Sequence, residues 1–181
     1  TLTVREDFFM FKKFFHKQKN EAGKQTQQTK FTVINPVNGK VYPISESPDE
    51  VFAQKMLGDG FAVLPDDGGV YSPVSGTVIT LFPTKHAVGL KADDGTEILV
   101  HMGIDTVALN GVPFTIHVQE GEHVTHASKL ATIDLDYLEN HQLHTDVMVV
   151  FTDMEKIEKF ELTTQGQLAQ GAEIGSYKIK A

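Results

Sequence analysis

Eight histidines stand in this chain of 181 residues, at 16, 86, 101, 117, 123, 126, 141 and 144. Imidazole is the side chain suited to nucleophilic, acid–base or metal chemistry near neutral pH, so these positions come first. His101 differs from the others in its setting. It follows Glu97-Ile98-Leu99-Val100, an apolar run with strand character, and precedes Met102-Gly103-Ile104-Asp105-Thr106-Val107. Alternation along such a strand places Ile98, Val100 and Met102 on one face and Leu99 and His101 on the other. Taken alone, a histidine ending an apolar strand is more often a hydrogen-bonded core residue than a reactive one. A second segment shifts that balance. Phe82-Pro83-Thr84-Lys85-His86-Ala87-Val88-Gly89-Leu90 also sets a histidine at the opening of an apolar strand, and a polar hairpin through Asp93, Asp94 and Gly95 joins the two. Antiparallel pairing across that turn brings His86 and His101 into one neighbourhood. Two adjacent imidazoles can serve phosphoryl transfer, metal binding or acid–base work.

The elements that must hold this pair read as β-structure. From Phe31 onward, short β-branched runs punctuated by Gly, Pro, Asn and Asp recur, as at Val33-Ile34, Val78-Ile79, Ile98 to Val100 and Val147 to Phe151. Such spacing predicts an all-β fold, an antiparallel sandwich or barrel. The segment Val33-Ile34-Asn35-Pro36-Val37-Asn38-Gly39-Lys40-Val41 aligns with Val70-Tyr71-Ser72-Pro73-Val74-Ser75-Gly76-Thr77-Val78, an internal duplication in which each copy reads strand, Pro turn, Gly, strand. The expected reason is a tight turn that needs a fixed φ and then a permissive one. One or two short helical turns interrupt the strands. Ser47 is expected to cap the first, with Pro48 and Glu50 in its opening turn and Met56 near its end. Leu135 to Leu143 is expected to form the second. A similar cadence occurs in biotinyl and lipoyl carrier domains, but their acceptor lysine between methionines is missing, which excludes that assignment.

Composition narrows the function. Residues 1–30 hold 7 Lys+Arg against 3 Asp+Glu, whereas the remaining residues hold 9 against 21, a net charge of −12. A body this acidic repels nucleic-acid backbones and favours basic partners. With no cysteine, neither disulfides nor thiolate metal sites can form, and a reducing cytoplasm is the compatible compartment. No apolar run is long enough to span a bilayer. Residues 8–17, Phe8-Phe9-Met10-Phe11-Lys12-Lys13-Phe14-Phe15-His16-Lys17, are apolar and basic together. Residues 1–30 therefore read either as a basic apolar leader on a polar tether, with weak membrane-surface contact through 8–17, or as a segment with no ordered role. A leader starting near Met10 favours a free-standing protein. Residues 31–181 form the expected single domain.

Glu97 to Val107, with Thr84-x-His86, resembles the active-site region of the glucose-type IIA domains of the bacterial sugar phosphotransferase system. Val51-Phe52-Ala53-Gln54-Lys55-Met56-Leu57-Gly58-Asp59-Gly60 resembles the family's helical segment near the start of the domain, and the likeness extends over about residues 31 to 179. The resemblance implies a cytoplasmic phosphoryl carrier that needs no cofactor and no metal. It implies that His101 accepts phosphate on Nε2 from the phosphocarrier HPr and passes it to the IIB domain of a membrane sugar permease. His86 would donate a hydrogen bond to the phosphoryl oxygens. Thr84 would hold a histidine, and Gly103 would leave room for a partner's backbone and fix the His101 tautomer through its carbonyl. Val51, Phe52, Met56, Leu57, Phe82, Leu99 and Val107 would form an apolar docking rim, with Asp49 and Asp105 as contacts for partner arginines. Regulated permeases or kinases are further partners known for the family.

Two loops depart from the family pattern, at Val112-Pro113-Phe114 and at His126-Ala127-Ser128, which affects local shape and not the histidine pair. His117, His123, His126, His141 and His144 match no functional position and are expected on the surface. Two rivals remain. A lysostaphin-like zinc hydrolase would use His101-x-x-x-Asp105, but it also needs a His-x-His pair that this sequence lacks. A purely regulatory binding module would not need to retain both His86 and His101.

Overall fold

The structure, a computed structural model, describes residues 30–180. Nearly all of the expected leader, with its membrane-surface contact through residues 8–17, lies outside the described residues. The β-branched and aromatic runs form strands because alternate side chains, and in the centre all of them, find apolar cover. In chain order the first strands are β1 (Lys30–Ile34), β2 (Gly39–Pro43), β3 (Asp59–Pro65), β4 (Gly69–Tyr71) and β5 (Gly76–Leu81). Next come β6 (Ala87–Ala92), β7 (Glu97–Met102), β8 (Phe114–Ile116), β9 (His123–Val124) and β10 (Lys129–Ile133). The last are β11 (Val147–Phe151), β12 (Ile157–Leu162), β13 (Gly166–Leu168) and β14 (Glu173–Ile179). They build an eight-stranded sheet in the order β13-β2-β3-β11-β7-β6-β5-β9 and two three-stranded sheets, β1-β14-β12 and β4-β10-β8. Neighbouring strands run antiparallel throughout, as the sequence predicts for a sandwich.

The large sheet has two apolar faces of unequal weight. On the inner face, Phe61, Val149, Val100 and Val88 lie side by side across four strands and join the main core, where Val33, Phe114, Leu130 and Tyr177 of the small sheets meet them. On the outer face, the row Tyr42–Ala62–Met148–His101–Ala87 crosses five strands. Around that row a second, smaller cluster contains Ile44, Val51, Phe52, Phe82, Leu99 and Ile104. β11 is buried along its whole length because it feeds both clusters. The expected split of β7, with Ile98, Val100 and Met102 on one side and Leu99 and His101 on the other, is the split between these two clusters.

The duplicated segments meet each other. Ile34 N–H donates to the Pro73 carbonyl at 3.0 Å, and the equivalent Tyr71 N–H donates to the Pro36 carbonyl at 2.8 Å. The two copies are thus joined by reciprocal bonds, as a local two-fold relation requires. Both glycines are needed for space, which at Gly76 replaces the expected dihedral reason: a Cβ at Gly39 would lie 2.2 Å from the Leu64 carbonyl oxygen, and one at Gly76 would lie 2.2 Å from that of Lys91.

Helix α1 (Glu50–Ala53) and helix α2 (Leu135–Asn140) are short, as expected. The expected cap of α1 is corrected. Asp49, not Ser47, is the capping residue, its Oδ1 accepting from Val51 N–H at 2.8 Å and Phe52 N–H at 3.2 Å. A carboxylate opposite unpaired helix N–H groups is a stronger acceptor than a hydroxyl, and Ser47 Oγ instead receives Asp49 N–H at 3.3 Å. No helix among the described residues is long and apolar enough to cross a membrane.

Candidate functional site

His101 is the fifth residue of β7 and pairs with Ala87 of β6, while Met102 N–H donates to the His86 carbonyl at 2.8 Å. This register places the two imidazole rings edge to face with centroids 5.0 Å apart. Phe52 presents an edge-on contact to His101 at 5.1 Å, and Phe82 does the same to His86 at 5.2 Å. Both histidines are therefore walled by aromatic carbon on the outer face of the sheet, with exposures of 1% for His86 and 2% for His101.

Each ring is oriented from its Nδ1 side. His101 Nδ1 lies 2.9 Å from the Gly103 carbonyl oxygen, which can only accept, so Nδ1 carries the hydrogen and Nε2 carries the lone pair. That Nε2 is buried and has no hydrogen-bond partner among the described residues. Thr84 Oγ1 lies 2.6 Å from His86 Nδ1, inside the tight turn that Lys85 makes with a φ of 55°. Burial, above all, and the neighbouring His86 hold the His101 pKa down to about 3, although the Gly103 carbonyl works in the opposite direction. The ring is accordingly neutral at neutral pH, with a free lone pair on Nε2.

The loop after β7 is built to aim that carbonyl. Gly103 has a φ of +73°, the left-handed region that a side chain disfavours. A Cβ there would lie 2.5 Å from Thr106 Cγ2 and 3.1 Å from the His144 carbonyl oxygen. Gly103 itself is buried, so its lack of a side chain serves this internal packing. Thr106 Oγ1 closes the loop by donating to the Met102 carbonyl at 2.8 Å.

The structure brings together Thr84, His86, His101 and Gly103. It redistributes the expected docking rim. Val51, Phe52, Phe82 and Leu99 are buried and form walls of the site, because the outer-face cluster packs them against Ala62, Met148 and Val150. Met56 is 53% exposed, while Leu57 and Val107 are half-buried, so the apolar surface is narrower than the sequence implied. Asp49 and Asp105 are half-buried beside this surface, Asp49 with one oxygen committed to capping α1. His117, His123, His126, His141 and His144 are exposed, as expected. Two residues near the site escaped sequence reasoning. Tyr42 of β2 donates its hydroxyl hydrogen to Oδ1 of the buried Asp146, just before β11. An acid directly ahead of the apolar run Val147 to Phe151 was a faint signal for Asp146; none pointed to Tyr42. Among the described residues no group of three His, Asp or Glu side chains is arranged to hold a metal ion.

Comparison with known proteins bears on the family and the fold. The model of the family described as phosphoenolpyruvate-dependent sugar phosphotransferase system, EIIA 1, matches residues 31–157. The PTS system glucose-specific EIICBA component of Streptococcus pneumoniae is 45% identical over 147 residues, 81% of this chain and 20% of that protein. The chain thus spans about a fifth of the length of that curated relative. Among solved structures, the glucose permease IIA from Mycoplasma capricolum is 35% identical, with a TM-score of 0.77 over 84% of this chain and 99% of that one.

Proposed function

The chain belongs to the EIIA 1 family of the phosphoenolpyruvate-dependent sugar phosphotransferase system, and from that premise we propose that it carries a phosphoryl group on His101 Nε2. The observation that carries the proposal is the Nδ1–H bond to the Gly103 carbonyl at 2.9 Å, which leaves the Nε2 lone pair as the nucleophile. In the proposed step, the lone pair forms a bond to phosphorus as the P–N bond of phospho-HPr breaks, and the leaving nitrogen keeps that bond's electron pair. The imidazole gains positive charge as the new bond forms. The Gly103 carbonyl dipole lies where that charge develops. Onward transfer to the IIB domain of a glucose-type sugar permease is the same displacement run from the other side, and it supports sugar uptake and phosphorylation.

His86 is proposed to stabilise the phosphoryl oxygens. With Thr84 Oγ1 donating to its Nδ1, its Nε2 carries the hydrogen and serves as a donor toward charge that spreads over those oxygens. Because Nε2 of His101 is buried, acceptance is expected only as a docked donor displaces what covers the ring, a step that also keeps water from the phosphoramidate. Met56, Leu57 and Val107 supply the apolar contact, and Asp49 and Asp105 steer basic partner residues. A cytoplasmic location is part of the same proposal, since phospho-HPr and the IIB domain must both reach His101.

Incubation with phosphoenolpyruvate, enzyme I and HPr is expected to add one acid-labile phosphate, and His101→Ala to abolish it. Wild-type protein that takes up no phosphate under those conditions would remove the carrier proposal. His86→Gln is expected to accept phosphate from HPr and pass it on poorly; unchanged onward transfer would contradict the role given to His86.

A further inference from the structure

We propose that Tyr42 and Asp146 form a positioning pair that holds the loop orienting His101. The loop and the approach to β11 are joined by two backbone bonds. Gly103 N–H donates to the Asp146 carbonyl at 2.8 Å, and Ile104 N–H donates to the His144 carbonyl at 3.1 Å. Wherever residues 144–146 sit, the Gly103 carbonyl that fixes the His101 tautomer must follow. The Asp146 carboxylate is buried, which is tolerable only while its oxygens are matched. Oδ1 receives the Tyr42 hydroxyl, and Oδ2 lies 3.7 Å from Nδ1 of the exposed His144. Burial of the ring and the adjoining carboxylate raise the Tyr42 pKa, so the hydroxyl remains a donor. Tyr42 stands in the outer-face row that also holds Ala62, Met148 and His101, with its ring packed against the cluster around the site. Without its hydroxyl, the carboxylate gains most by swinging toward water, and the swing carries Gly103 with it.

The kinetic consequence rests on the carrier role proposed above, whereas the tautomer does not. Nitrogen-15 NMR of the imidazole rings reads the hydrogen on His101 directly. Tyr42→Phe keeps the ring and removes the donor, and it is expected to bring in the Nε2–H tautomer and to slow phosphate acceptance from phospho-HPr about tenfold. Asp146→Ala is expected to shift the tautomer in the same direction, and Asp146→Asn, which restores an acceptor oxygen, to recover most of what Asp146→Ala loses. A wild-type tautomer in either folded variant, even with lowered thermal stability, would overturn the positioning role. So would an Asp146→Asn protein as impaired as Asp146→Ala. If the wild type accepts no phosphate, the carrier role fails while the tautomer comparison still decides this one.

Discussion

Burial holds the His101 ring neutral in the folded protein, with His86 adding to the effect, and the folded pKa falls to about 3 from the ordinary value of 6.5. In the unfolded chain the ring recovers its ordinary value. Between about pH 6.5 and about pH 3 the unfolded state therefore binds a proton that the folded state refuses. Stability falls as pH falls through this window and is fully present above it. At about pH 5 the two pKa values give a contribution of about 2 kcal/mol toward unfolding, relative to neutral pH. For a domain of this size that corresponds to a Tm lower by about 4–8 °C. Carboxylates and other histidines also respond to acid, so the contribution must be isolated by substitution. His101→Gln serves, because glutamine is neutral across the window, as the folded ring is, and leaves the electrostatic surroundings of His86 nearly unchanged. Urea unfolding at about pH 7 and about pH 5 is expected to show wild type losing about 2 kcal/mol more than His101→Gln. Losses that agree within about 0.5 kcal/mol would refute the reasoning. So would a titration of the His101 ring near its ordinary value.

The loop after β7 offers a second test: Gly103→Ala combines a φ of +73° with a Cβ 2.5 Å from Thr106 Cγ2, and is expected to cost about 2–4 kcal/mol in thermal unfolding. It should also disturb the His101 Nδ1 bond seen by NMR, and an unchanged Tm would show that the loop is not strained by a side chain there. At α1, Asp49→Ala removes the acceptor of two N–H groups and is expected to cost about 1 kcal/mol in chemical denaturation. Because the same turn carries Phe52 against His101, phosphate acceptance should fall as well.

The sequence alone determined the strand-rich class, the duplicated segment and the meeting of His86 with His101. The last was legible because residues 82–102 form one local hairpin: alternation settles which face each side chain takes, and the turn at Asp93 to Gly95 settles which residues lie opposite. Family resemblance added roles for Thr84 and Gly103, and the structure set both within hydrogen-bonding distance of a histidine Nδ1. What the sequence left open depends on contacts between distant parts of the chain. Tyr42 reaches Asp146 across a separation of 104 residues, and no periodicity encodes such a bond. The choice of Asp49 over Ser47 as cap turned on where the chain bends into α1, and the burial of Phe52, Phe82 and Leu99 on which cluster closed over them. Gly39 and Gly76 were visible as a repeat, yet the carbonyls that forbid a Cβ there belong to β3 and β6. Local pattern assigns a residue to a face, and a contact two residues away orients the His101 ring; only the assembled sheets decide what that face meets.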